Sequence, residues 1–245
     1  MDRVQTAVVG GVPFVVSDVE TLIKAGPQGV WSEVPVFRFA NAYCVALAQR
    51  DSRYFDVLKG SGANFPDGFP VARVMRFTSP TARQVRGPSV FEAALSSWIE
   101  PEHRHYFLGS TEAVLAAILA RVREEAPALS VAGSYSPPFS EMSNSDFDRI
   151  VDAILSANAT IVWVGLGTPK QDFVATRLAE ALEIPCFAVG AAFDFYARTK
   201  PVAPRWMRNA GLEWVFRLAS EPQRLFKRYL WGNSVFLLAL LRGLG

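Results

Sequence analysis

The residue in this chain best suited to proton transfer is Asp67, in the run Asn64-Phe-Pro-Asp-Gly68. A Pro-Asp-Gly triplet on its own reads as a turn. Set among apolar residues at the edge of a sheet, the same carboxylate is a candidate general base. A second run, Gly165-Leu-Gly-Thr-Pro-Lys-Gln171, begins like a dinucleotide fingerprint. The third glycine is missing, however, and no acidic residue ends the next apolar run, Pro185 to Val189, to hold a ribose. Lys170 has the wrong spacing for a Walker loop. What remains is a glycine turn (Gly165, Gly167) with Thr168, Lys170 and Gln171 at a helix start, able to hold a diphosphate or a sugar. Lys170 reads equally well as a solvated charge. Asp146-Phe-Asp148 has the Asp-x-Asp spacing by which sugar-nucleotide enzymes hold a divalent metal. It follows Ser143-Asn-Ser145 at the start of an amphipathic helix, where acids complement the helix dipole, so capping accounts for it and no metal site is predicted. There is no Gly-x-Ser-x-Gly elbow for serine catalysis.

Basic residues gather at the C-terminal end. From residue 198 onward there are nine Lys and Arg against two acids, a charge of +7, while the first 197 residues carry −5. Arg217, Arg224 and Arg228 are seven and four residues apart, a spacing that puts them near one face of a helix. Three of the six tryptophans stand in the same stretch. Basic residues beside Trp, Phe and Leu read either as a solvated helix face with Trp in the core or, preferably, as an amphipathic element at an anionic lipid surface. The overall net charge of +2 gives no general preference for nucleic acid.

A chain of 245 residues, half of them hydrophobic, has ample core for one large domain. Its two cysteines and two histidines are too few for a four-ligand zinc site or a disulfide framework. Cys44 and Cys186 lie in apolar runs and read as core residues of a reducing compartment. The start opens no signal peptide, and the longest late apolar run, Val235 to Leu241, is seven residues where a spanning helix needs about 20. The expectation is a cytoplasmic chain.

The elements that position these groups alternate. Residues 5–16 predict a strand or hairpin, then a short helix from Val19 to Lys24. Val34 to Phe39 predicts a strand, and Asn41 starts a helix toward Leu58. His105 to Leu108 is a strand, followed by a helix capped by Ser110. Leu129 to Ser134 is a strand, followed by a helix capped by Ser145. Thr160 to Val164 is a strand, Pro169 opens a helix to Leu182, and Pro185 to Val189 is a strand. Such alternation predicts a doubly wound α/β domain with a mostly parallel sheet. Three strand ends carry small residues: Gly109-Ser110, Gly165-Leu-Gly167-Thr168 and Gly190-Ala-Ala. Ligands of open α/β sheets bind there.

Taken together these stretches resemble the WecG/TagA/CpsF glycosyltransferases, glycosyltransferase family 26. The matching runs are Ala40-Asn-Ala, Pro66-Asp-Gly68, Phe107-Leu-Gly-Ser110, Val164 to Gln171, Val189-Gly-Ala-Ala-Phe-Asp194-Phe, Ala203-Pro-Arg-Trp-Met, and Gly211-Leu-Glu-Trp through Asn233. The resemblance implies a Rossmann-like core over 1–197 and a basic helical appendage over 198–245 that meets the membrane and closes over the site. It implies inverting, metal-independent transfer from a UDP-sugar to a polyprenyl-diphosphate-linked saccharide, with no cofactor, on the cytoplasmic face of the inner membrane. A homo-oligomer is compatible with it. Asp67 matches the family's base, and Asn41, Gln171 and Asp194 fall in its pocket. Arg217, Arg224 and Arg228 fall in its appendage, and on this resemblance Arg217 and Arg224 are expected to reach the diphosphate and Trp231, Phe236 and Leu237 the lipid. Phe39 replaces the family's usual Thr, and the family's Arg-Val-Thr-Gly-Ser-Asp stands here as Gln84-Val-Arg-Gly-Pro-Ser89, leaving Arg83 or Arg86 to supply the arginine. An NAD(P)-dependent oxidoreductase and a non-catalytic nucleotide-binding module are the rival readings.

Overall fold

In the computed structural model, which describes residues 4–27, 35–138 and 142–242, six parallel strands form one sheet. A small hairpin, β1 (Thr6–Val9) and β2 (Val12–Val15), precedes helix α1 (Val19–Ala25). The sheet then begins with β3 (Val36–Ala40), followed by α2 (Ala42–Ala48), α3 (Ser52–Lys59), β4 (Ala63–Pro66), α4 (Phe69–Met75) and α5 (Gly87–Ser97). Three strand–helix units follow: β5 (Arg104–Gly109) with α6 (Glu112–Glu125), β6 (Ser130–Tyr135) with α7 (Asn144–Ser156), and β7 (Ile161–Gly165) with α8 (Lys170–Leu182). Strand β8 (Cys186–Ala188) and α9 (Ala192–Tyr196) complete the sheet layer. The chain ends with α10 (Arg205–Asn209), α11 (Glu213–Ser220) and α12 (Pro222–Arg242). Strand order is β4-β3-β8-β7-β5-β6, a doubly wound, Rossmann-like α/β fold.

The period-two alternation of the strands explains why both faces carry helices. Phe37, Phe107, Trp163 and Phe187 point to one face and meet α1, α5, α6 and α9. Their neighbours Val36, Leu108, Val162, Val164 and Ala188 point to the other and meet α7 and α8. His105 is fully buried in the first layer, with Nε2 bonded to the Trp98 carbonyl at 2.9 Å and Nδ1 accepting from the Trp163 indole at 2.9 Å. Burial pushes its pKa down to about 4, so it is a neutral core residue. Cys44 and Cys186 are buried free thiols, as their apolar settings predict.

One polar cluster ties together the elements that carry the site. Arg38, fully buried on β3, donates from Nη2 to the Ser61 carbonyl and to Thr176 Oγ1, both at 2.8 Å. Thr176 lies on α8, one turn beyond Asp172, which accepts a 2.7 Å hydrogen bond from the Tyr54 hydroxyl of α3. Burial pulls Arg38 down to about 10 and lifts Asp172 to about 6.

Several local expectations are corrected. The helix from Asn41 is two helices, because Asp51 caps α3 through the Arg53 and Tyr54 amides. Thr111, not Ser110, caps α6; Ser110 takes a left-handed turn at φ 59°. Ser143, not Ser145, caps α7 in a capping box with Asp146, whose carboxylate also meets Arg149. Strand β4 and helices α4 and α5 fall where no element is predicted. Arg217 and Arg224 do not share a helix: Arg217 is on α11, whereas Arg224 and Arg228 are on α12. The beginning of the strand predicted from Val34 lies outside the described residues.

Phe236 is also corrected, since it is only 4% exposed and packs among Val9, Phe14, Val45 and Tyr54 rather than facing lipid. It pins α12 onto α2 and the hairpin. Phe236→Ala should therefore cost about 3 kcal/mol in urea unfolding. The same change at its 59%-exposed neighbour Leu237 should cost less than about 0.5 kcal/mol.

Candidate active site

Strands β3, β4, β7 and β8 end together at a cleft of about 530 Å³, over which α11 and α12 close. Asp67 follows β4 directly. Its amide donates to the Ala40 carbonyl at 3.1 Å, and its own carbonyl accepts from Gln84 Nε2 at 2.8 Å. One carboxylate oxygen accepts the Gly87 amide at 3.0 Å, which leaves the other for the cleft. This is not the tight turn that Pro-Asp-Gly suggests, because Gly68 leads straight into α4 with a negative φ. Gly68 also packs tightly on the opposite turn: a Cβ there would stand 3.1 Å from that of Asn41. Asn41 caps α2 through Oδ1, which accepts the Tyr43 and Cys44 amides, and the cap leaves its amide nitrogen available to a ligand.

The opposite wall is glycine-rich. Gly165, Gly167, Thr168, Gln171, Gly190 and Asp194 all line the cleft. Gly190 has a φ of 56° and lies against Gln171, so a Cβ would come within 2.9 Å of Oε1. Gln171 is 3% exposed, and its Nε2 donates to the Ala188 carbonyl at 3.2 Å. Gly109 and Ser110 stand behind this wall instead, where the Ser110 amide bonds the Gly165 carbonyl at 2.9 Å. Lys170 begins α8 outside the lining.

Basic groups come from the C-terminal helices. Arg217 lines the cleft 5.6 Å from the Phe195 ring centroid, and Arg228 lines it 3.9 Å from that of Tyr43. The side chain of Arg224 lies outside the described part of the structure. Arg86 reaches the site from the core. Its guanidinium forks onto Glu213 of α11, with Nε to Oε2 at 2.9 Å and Nη2 to Oε1 at 2.8 Å. Arg83 is solvent-exposed and exerts its charge on Asp18, away from the cleft. Asp194 is paired with Lys200 at 3.1 Å. Sequence reasoning missed Glu213, Lys200 and Arg208, all of which line the cleft. The only available signal was that Glu213 interrupts the otherwise apolar run Leu212 to Phe216.

Burial is the main influence on Asp67, lifting its pKa to about 7, and Glu213 adds to the rise. Arg86, the Gly87 amide and Arg217 pull the other way. A carboxyl poised near neutrality, with one oxygen fixed and the other facing a cleft, is built to accept a proton.

Fold and site together define a class: a doubly wound α/β protein whose cleft, at the carboxyl ends of parallel strands, suits an anionic substrate. The sequence is more particular. Residues 9–244 match the glycosyl transferase WecG/TagA/CpsF family, and the chain belongs to that family. It is similar to the N-acetylglucosaminyldiphosphoundecaprenol N-acetyl-beta-D-mannosaminyltransferase of Bacillus subtilis strain 168, at 27% identity over 92% of this chain and 88% of the relative. It is also similar to the enzyme of the same name from Bacillus spizizenii, at 26% identity over 72% of this chain and 68% of that one.

The raised pKa has a consequence for stability. In the folded state Asp67 holds its proton above the unfolded value of about 4, so the stability it contributes is present below about pH 4. That contribution is lost as pH rises through about 7. Asp67→Asn keeps an acceptor for Gly87 and escapes this loss. Its Tm advantage over wild type should grow from pH 4 to pH 7 and level off above. In a carbon-13 NMR titration, Glu213→Gln should move the Asp67 midpoint downward, since it removes one cause of the rise and frees Arg86.

Proposed function

We propose that the protein is an inverting, metal-independent glycosyltransferase. It moves a hexosyl group from a UDP-sugar to a polyprenyl-diphosphate-linked saccharide in cell-envelope polysaccharide synthesis. The observation that carries this reading is the fixed Asp67 carboxylate in a cleft shared with glycine turns and arginines. The names of the two Bacillus relatives point to an N-acetylmannosamine-type donor and a lipid-linked acceptor. Asp67 takes the proton of the acceptor hydroxyl as that oxygen attacks the anomeric carbon from the face opposite UDP. One C–O bond forms, the bond to the diphosphate breaks, and the negative charge on departing UDP is met by arginines of the C-terminal helices. Family membership weighs against the oxidoreductase reading. Metal independence follows the family resemblance and agrees with Asp146 serving the cap of α7.

Asp67→Asn should lower kcat by about 100-fold or more while UDP binding changes little, and wild-type transfer should persist in excess EDTA. Wild-type turnover in the variant would remove Asp67 from the mechanism, whereas UDP binding without any UDP release by the wild type would leave only a nucleotide-binding module. Loss of activity in EDTA, restored by Mn²⁺, would reverse the metal assignment.

We further propose that residues 198–245 act as an appendage docking the protein to an anionic membrane surface, on the cytoplasmic face of the inner membrane. No described helix is long and apolar enough to cross a membrane. Among the described residues, eleven of the seventeen exposed large hydrophobic side chains lie beyond residue 200, including Trp214, Phe226, Leu230, Leu237 and Leu241. An apolar groove between α11 and α12, lined by Trp214, Tyr229 and Leu237, continues from the cleft and suits a prenyl chain. Leu230→Glu combined with Leu241→Glu should weaken binding to anionic vesicles without lowering Tm, as should raised salt for the wild type. Vesicle binding indifferent to both would remove the membrane role.

A further inference from the structure

We propose that Arg208 is a diphosphate-binding residue of the cleft, acting with Arg217 and Arg228; the identity of the substrates rests on the functional reading above. Arg208 stands on α10, the first short helix beyond the sheet layer, and lines the cleft. Its Nε is buried and has no hydrogen-bond partner among the described residues. A guanidinium in a protein keeps its proton, and buried donors are nearly always met, so this group awaits an acceptor.

The carboxylates nearby are already engaged. Asp194 holds Lys200 at 3.1 Å, Glu221 lies 3.9 Å from the same lysine, and Glu213 is forked by Arg86. One oxygen of Asp67 is taken by the Gly87 amide. Among the described residues, none of Arg208, Arg217 and Arg228 has a carboxylate within ion-pair distance, and each comes from a different helix. Three guanidinium groups lining one cleft repel unless an anion lies between them.

The core side supplies a matching vacancy in hydrogen bonding. Gln171 Oε1 is buried without a partner, and the bond from Nε2 to the Ala188 carbonyl fixes which end of the amide is left over. A complementary ligand brings a donor to Gln171 and anionic oxygens to the C-terminal helices. A diphosphate ester of a sugar or nucleoside has both. The donor and the lipid-linked acceptor each carry a diphosphate, and the shared chemistry does not separate them.

The test is calorimetric titration of UDP, inorganic pyrophosphate and uridine into wild type, Arg208→Ala and Arg208→Lys, with KM measured for the UDP-sugar and for the lipid-linked acceptor. If Arg208 serves the donor, UDP and pyrophosphate should weaken about tenfold or more in Arg208→Ala while uridine does not. If it serves the acceptor, UDP affinity should hold and the acceptor KM should rise about tenfold. Lysine keeps the charge but loses the fork and should restore only part of either effect. Unchanged affinities and KM values in variants that melt with wild type would overturn the assignment. Should Arg208→Ala not fold, Arg208→Lys decides alone, and wild-type values there would also overturn it. Failure of wild type to bind UDP would sink the functional reading instead, and pyrophosphate affinity would still report on Arg208.

Discussion

A single buried arginine fixes the relative positions of the groups in the cleft. Removing Arg38 from water is costly and only dense hydrogen bonding offsets it, so its guanidinium dictates where its partners stand. Those partners lie on the Ser61 turn before β4 and on α8, and Arg38 itself lies on β3. These three elements carry Asp67, Gln171 and Asn41 respectively. Asp172 extends the cluster to Tyr54 and hence to α3. An error in register anywhere in this set would strand a charge without a partner, which makes the cluster a device for specifying geometry more than for adding stability.

The fold was legible where the sequence is most regular. From His105 to Val189, strands and helices alternate in runs whose periods differ plainly, and all of them recur close to the expected bounds. The stretch between Leu58 and His105 was not legible. Strand β4 is four residues long and ends in proline, and α4 and α5 begin with proline near the first turn and no side-chain cap. Caps were misplaced by one or two residues where serines, threonines and asparagine crowd together, as at Ser143-Asn-Ser145. Of the site, the glycine turns and Asp67 could be picked out because their residue types carry chemistry on their own. Glu213, Lys200 and Arg208 act through partners distant in the chain, and no local spacing announces such a pair. Phe236 shows the converse: in a run of apolar residues on an amphipathic helix, sequence alone does not say which are covered.

The C-terminal helices do more than cover a finished site. Glu213 of α11 raises the pKa of Asp67, and in forking onto Arg86 it occupies a cation beside that carboxylate. Helix α11 therefore acts on Asp67 in both directions, through Glu213, which adds to the rise that burial sets, and through Arg217, which opposes it. Phe236 and Gly232, which approaches Tyr43 closely, hold α12 against α2, whose cap is Asn41. The same helix thus meets the core at its buried face and exposes Leu230, Leu237 and Leu241 on the other.

This arrangement bears on the departure at residues 84–89. Where the resembled family carries an arginine, Gln84 binds the Asp67 carbonyl and brings no charge. The guanidinium that enters two residues later, from Arg86, is neutralised by Glu213. The core wall of the cleft therefore has little free positive charge, and the uncommitted guanidinium groups stand on α10, α11 and α12. On the proposed reading, a leaving diphosphate would find its counter-charges almost wholly on the helices that also meet the membrane. Coulomb attraction falls steeply as solvent enters, so those charges are effective only when the helices are closed and water is excluded. Docking and catalysis would then be coupled through the distance from three guanidinium groups to one anion, with no separate signal required.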